Sequence, residues 1–245
     1  MTPNPARPTS SPSRIRWGLP DIAIAWFAGI GASLLALPLA STGDAATDQP
    51  TGYLLAALAL QSFGVVAALM IISRVKGRAS LARDFGLVWP LSRLGPAAAA
   101  GWILMGAALS VAAQALLAPI SAIADLDEPA QQVSRSLQDA SGGGRLLFAL
   151  GVVLLAPTVE ELLFRGALLR GLQRRWSIPV AVFASAAIFG GIHVVADPGA
   201  IYVVPGVILL GLVAGAAATR YGDLSRPVLL HMGFNLLGAV ALLLS

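Results

Sequence analysis

Seven apolar stretches of about twenty residues dominate this chain, and they leave lipid as its natural solvent. They run Ile22–Leu39, Gly52–Ser73, Pro96–Leu117, Leu146–Leu169, Ile178–Val195, Ala200–Thr219 and Pro227–Leu244. Backbone amides have no water to bond inside a bilayer, so such stretches must be helices that satisfy their own hydrogen bonds. The predicted fold is therefore all-α: a polytopic transmembrane helix bundle of about seven spans, forming one helical domain over residues 20–245. Composition agrees. The chain is 57% hydrophobic and 11% charged over 245 residues, too apolar for one water-soluble core of that size.

Residues 1–19, rich in Pro and Ser with Arg7, Arg14 and Arg16, read as a disordered tail. The first apolar run exceeds the length of a signal-peptide core and is read as an anchored span rather than a cleaved leader. Basic and acidic loops alternate. Arg74, Lys76, Arg78, Arg83 and Arg93 crowd the second loop, and Arg170, Arg174 and Arg175 follow the fourth span. Asp44 and Asp48 fall between spans one and two, and the 118–145 loop is net acidic. The positive-inside rule then puts the N-terminus in the cytosol. The basic residues are assigned to topology and anionic lipid, not to nucleic acid. The 118–145 loop reads as a surface loop or lid, with a hinge at Gly142, Gly143 and Gly144. The expected location is integral to the membrane, in the plasma membrane. With no cysteine, thiol chemistry and disulfides are excluded.

Most spans carry no charge, yet Glu160, Glu161 and Arg165 fall in the fourth, His193 in the fifth, and His231 with Asn235 in the seventh. Ionisable groups at such depth cost about 2.5–3.5 kcal/mol each and are functional candidates. Glu161 and Arg165 are four residues apart and share a helix face, which leaves Glu160 as a free carboxylate suited to general-base work. Pro157 removes a backbone donor and is expected to kink this helix. His231 and Asn235, also four apart, can aim an imidazole and an amide at one developing oxyanion. His193 follows Phe189 by one turn. Each group also has a plainer reading: an interfacial charge patch, a histidine bonded between helices, a polar pair joining helices. Placed by span boundaries, Glu160, His231 and His193 lie at different depths, so their convergence is left open.

Glu160-Glu161-x-x-x-Arg165, Phe189-x-x-x-His193 and His231-x-x-x-Asn235, in this order, resemble the motifs of the CAAX-protease and bacteriocin-processing family of intramembrane endopeptidases, CPBP or ABI. The resemblance covers residues 146–240. It implies peptide-bond hydrolysis in a cavity open to the cytosol, on a peptide or membrane-protein substrate. Glu160 would activate water with help from His193. His231 and Asn235 would stabilise the oxyanion, and Glu161 and Arg165 would hold the geometry. The resemblance leaves the cofactor open: a glutamate mechanism can run without metal, and two histidines and a glutamate can also ligate zinc, although the His-Glu-x-x-His signature is absent. Two rival readings are a transporter or channel that uses Glu160 and the histidines as a proton or ion relay, and an immunity protein that binds peptide without cutting it.

Overall fold

The computed structural model describes residues 15–40, 50–123, 142–196, 201 and 203–244. Among these the chain is helical, with no strand. Helix α1 is Leu19–Ser33, extended by a 3-10 segment Leu34–Leu39; α2 is Thr51–Lys76; α3 is the short Leu81–Phe85. Then come α4 (Pro96–Ile123), α5 (Gly142–Gln173), α6 (Ile178–Ala196), α7 (Val204–Tyr221) and α8 (Ser225–Leu244). Among the described residues six helices, α1 with its 3-10 extension, α2 and α4 to α7, are long and apolar enough to cross a bilayer. The seventh predicted span is the helix α8, of 20 residues. Outward-facing side chains such as Phe27, Leu35, Ile71, Leu104 and Phe183 are large and apolar. An exposed apolar surface of this breadth belongs against acyl chains, so this is an integral, multi-pass membrane protein.

Two expectations are corrected. Gly142, Gly143 and Gly144 are not a hinge: they form the first turn of α5, which starts four residues before and ends four residues after the span drawn from hydropathy. Hydropathy missed these ends because glycines and arginines flank an apolar run without breaking the helix. Residues 15–18 are packed rather than part of a loose tail. Trp17 is 2% exposed, stacks on Phe85 at 4.9 Å, and lies beneath the Arg174 guanidinium at 3.9 Å. The expected tail at 1–14 and most of the 118–145 loop lie outside the described residues.

The Arg-rich segment after α2 has an internal structure of its own. It is a built knot around Asp84, a carboxylate 1% exposed. Asp84 accepts from Ser73 Oγ at 2.5 Å, from the Arg78 amide at 2.8 Å and from Arg78 Nε at 3.1 Å. Burial works to raise this carboxyl, but the hydrogen bonds from Ser73 and Arg78 outweigh it and hold it below the ordinary carboxylate range. Arg170 of α5 then spans the segment and the α7–α8 turn, donating to Asp84 O at 3.3 Å and Gly222 O at 2.7 Å. This end of the bundle is thereby tied together across α2, α5 and α7.

Two features position the site. The α4–α8 pair meets through glycines: a Cβ on Gly106 would strike the Leu230 carbonyl, and one on Gly233 would strike that of Ile103. Only glycine permits backbones this close. And α8 starts inside the protein rather than at its surface. Leu224 and Ser225 are fully buried, and Asp223 Oδ1 closes the turn that enters the helix by accepting from the Ser225 amide at 2.9 Å.

Candidate active site

Helix α5 leaves α geometry twice, with π-helical stretches at Gly151–Leu155 and Leu162–Leu169 on either side of Ala156–Glu161. Such bulges cluster at functional sites because they re-aim side chains. Pro157 accounts for a consequence of the first. The Ala156 amide bonds back five residues to Gly151 O. In that register the next donor would be the amide of residue 157, reaching Val152 O, and proline has none. The orphaned carbonyl is satisfied from another helix: Asn235 Nδ2 of α8 donates to Val152 O at 3.0 Å. Around Pro157 the helix thus carries a π turn and a side-chain bridge.

Every residue from Glu161 to Arg165 and on to Ala167 is buried. Glu161 and Arg165 are 0% exposed and pair at 3.0 Å, the contact their spacing predicts. The Arg165 guanidinium lies 4.3 Å over the Phe189 ring. Gly211 of α7 makes room for it, since a Cβ there would stand 3.1 Å from Arg165 Nη2. His231 completes the group. Its Nδ1 donates to Glu161 Oε1 at 2.9 Å, and its Nε2 faces Glu160 Oε2 at 3.6 Å. One imidazole therefore connects both carboxylates. Arg165 pairs with Glu161 in this low-dielectric interior, and the pairing is what makes a buried ionic group tolerable there.

Glu160 has a different environment. Its side chain is 33% exposed. Together with His193 it lines a cavity of about 250 Å³, walled by Val159, Leu163 and Phe164 of α5 and by Phe189 and Ile192 of α6. His193 Nδ1 is 2.8 Å from Phe189 O. A carbonyl only accepts, so Nδ1 carries the proton and Nε2 is the ring nitrogen that can take one. The depth conflict resolves because α5 runs on to Gln173. Glu160 is about 20 Å from that end and His193 about 22 Å from the start of α6, at 1.5 Å per residue. His231 reaches the same layer because α8 begins inset.

The structure thus brings Glu160 and His193 onto one cavity wall and stacks Glu161, Arg165 and His231 behind it. His231 and Asn235 do not line the cavity. Sequence reasoning also missed three residues that do: Trp26 of α1, and Gln61 and Ser62 of α2. A signal for the latter two was present. They are the polar side chains in an otherwise apolar run from residue 54 to 72. Among the described residues no three His, Asp or Glu side chains converge so as to hold a metal ion.

A carboxylate and an imidazole on the wall of a cavity, backed by a buried ionic group and enclosed by membrane-spanning helices, define a multi-pass membrane protein with a reactive interior. The comparisons with known proteins sharpen this class. Residues 142–237 match the family described as type II CAAX prenyl endopeptidase Rce1-like. The match spans all three motifs and bears out the resemblance read from them. An uncharacterized 24.3 kDa protein of Escherichia coli is 27% identical over 158 residues, 64% of each chain. The chain therefore spans less than two thirds of that relative's length. No solved structure matches.

Proposed function

We propose that this protein is an intramembrane endopeptidase of the CAAX type that cleaves a peptide or membrane-protein substrate. Its cavity opens toward the cytosol, in what we take to be the plasma membrane. The observation that carries the reading is that Glu160, a partly exposed carboxylate, and His193, whose Nε2 is left open by the Nδ1 contact to Phe189 O, line the same cavity in an apolar bundle. The family match over residues 142–237 supports it.

Water held between Glu160 and His193 Nε2 loses a proton to Glu160 as its oxygen bonds the scissile carbonyl carbon. The carbonyl π electrons move onto oxygen, giving a tetrahedral oxyanion. When the C–N bond breaks, the proton on Glu160 passes to the departing nitrogen, and Glu160 returns to its starting state. In this reading His231 is a positioning residue: tied to Glu161 and facing Glu160, it holds the base in place. Asn235 holds the π turn that presents Glu160. Glu161 and Arg165 supply the fixed frame on which His231 rests. No step is routed through a metal.

The test is cleavage of membrane-tethered peptides, farnesylated C-terminal peptides among them, by purified wild type and Glu160→Gln in proteoliposomes, with and without chelator. Loss of a general base lowers turnover by roughly 10²–10⁴-fold. Cleavage that persists in Glu160→Gln would refute the assignment of the base. A wild type that folds and cuts nothing would refute the function. Loss of wild-type activity with chelator would overturn the metal-free mechanism.

A further inference from the structure

Glu160 stands on the short α-helical stretch Ala156–Glu161, between two stretches of π register. Runs of π register are rare, and each of these two is fastened from another helix. Asn235 of α8 holds the first through Val152 O. Ser185 of α6 holds the second: its Oγ donates to Phe164 O at 3.1 Å. Ser185 is buried, and a buried hydroxyl needs a partner. A helical serine ordinarily takes a carbonyl one turn back in its own helix. This hydroxyl crosses to a neighbouring helix instead, and the carbonyl it takes lies inside the π stretch Leu162–Leu169. Ser185 belongs to none of the three sequence motifs.

Ser185, Phe189 and His193 follow one another at intervals of four, so they form one stripe along α6, about 12 Å long at 1.5 Å per residue. Every member of the stripe bears on the site. Ser185 bonds Phe164 O. The Phe189 ring meets the Phe164 ring at 4.9 Å and lies 4.3 Å from the Arg165 guanidinium. His193 stands at right angles to the Phe189 ring at 4.8 Å, bonds Phe189 O, and lines the cavity with Glu160. Glu160 lies four residues before Phe164 on α5, so the stripe spans from the second π stretch to the reacting carboxylate. Apolar ring packing is non-directional and tolerates a small slide of one helix on another, whereas a hydrogen bond weakens steeply with angle and distance. The depth at which α6 sits on α5 is therefore fixed at the Ser185 end.

We propose that Ser185 is a positioning residue of the active site: its hydrogen bond to Phe164 O fixes α6 against the second π stretch of α5 and so sets His193 beside Glu160 on the cavity wall. The inference rests on the endopeptidase reading. Ser185 touches no reacting atom and acts through His193.

The experiment measures kcat and KM in proteoliposomes for wild type, Glu160→Gln, Ser185→Ala and Ser185→Thr on whichever tethered peptide wild type cleaves. Nitrogen-15 spectra of histidine-labelled protein in micelles accompany it. The chain has two histidines, and His193→Gln assigns their signals. Alanine is smaller than serine and the best helix former, so Ser185→Ala is expected to fold. A misplacement of about 1 Å can cost about 10²-fold in rate. In Ser185→Ala kcat is expected to fall by about 10- to 10²-fold with KM within about twofold, and the His193 ring signals to move from their wild-type positions. Ser185→Thr keeps the hydroxyl and should return both toward wild type. Wild-type kcat in folded Ser185→Ala, beside an inactive Glu160→Gln, would overturn the role of Ser185 and leave the endopeptidase standing. A fall in kcat with the His193 signals unmoved would overturn it too, since the loss would then act elsewhere. So would a folded Ser185→Thr as slow as Ser185→Ala. No cleavage by wild type would sink the endopeptidase reading and this inference with it.

Discussion

Arg165→Met offers the sharpest test of how the site is held together. Arg165 and Glu161 are both 0% exposed and pair at 3.0 Å. Removing the cation leaves a carboxylate in a dry interior, bonded only to His231. Breaking a buried pair from one side costs about 3–5 kcal/mol. The guanidinium over Phe189 adds up to about 2 kcal/mol when desolvated. Glu161→Gln alone strands the cation instead and falls in the same range of about 3–5 kcal/mol. The double variant is different, because it buries no unpaired charge. It also removes Arg165 Nε and Arg165 Nη2, two buried atoms with no hydrogen-bond partner. Replacing a whole buried pair is often close to neutral. The double variant is thus expected to be at least about 2 kcal/mol more stable than the sum of the singles. Denaturant unfolding from mixed micelles, followed by tryptophan fluorescence, measures all four corners of the cycle. Additivity within about 0.5 kcal/mol would refute the argument, since it would mean that the two residues are energetically independent.

Three further outcomes are expected. Asn235→Ala strands Val152 O and should cost about 1–3 kcal/mol in the same unfolding assay. Pro157→Ala in that background restores a backbone donor in register and should recover part of the loss; no recovery would sever the link between Pro157 and Asn235. Gly106→Ala and Gly233→Ala each press a methyl onto the facing backbone of the α4–α8 pair. Each should destabilise by about 1–3 kcal/mol or more, while Gly101→Ala, with open space at its Cβ, should not. Asp84, whose carboxyl is held below its ordinary range, contributes stability that is present above its unfolded value near pH 4 and is lost as pH falls through its lower folded value. The gap in unfolding midpoint between wild type and Asp84→Asn should therefore be wide at pH 7 and shrink as pH drops below about 4; a gap constant with pH would count against the Ser73–Arg78 cage.

What could be read in the sequence was what helix periodicity and solvent preference decide locally. Long uncharged runs can only be helices in lipid, and the Rce1-like match covers the motifs read on them. Residues four apart lie on one face, so Glu161 with Arg165 and Phe189 with His193 meet as their spacing requires. Four-residue spacing also put Asn235 beside His231, but periodicity says nothing about what faces them. That depends on where helices start, how they tilt and how closely they approach. His231 connects both glutamates because α8 begins inset and glycines draw it against α4. Asn235 turns to Val152 O because a π register and a proline left that carbonyl without a donor, which involves helices more than eighty residues apart in the chain. Gln61 lines the cavity only because α2 packs beside α5. Hydrogen bonding within a turn is set by chain geometry, whereas these contacts are set by the packing of whole helices, and only the tertiary structure decides that.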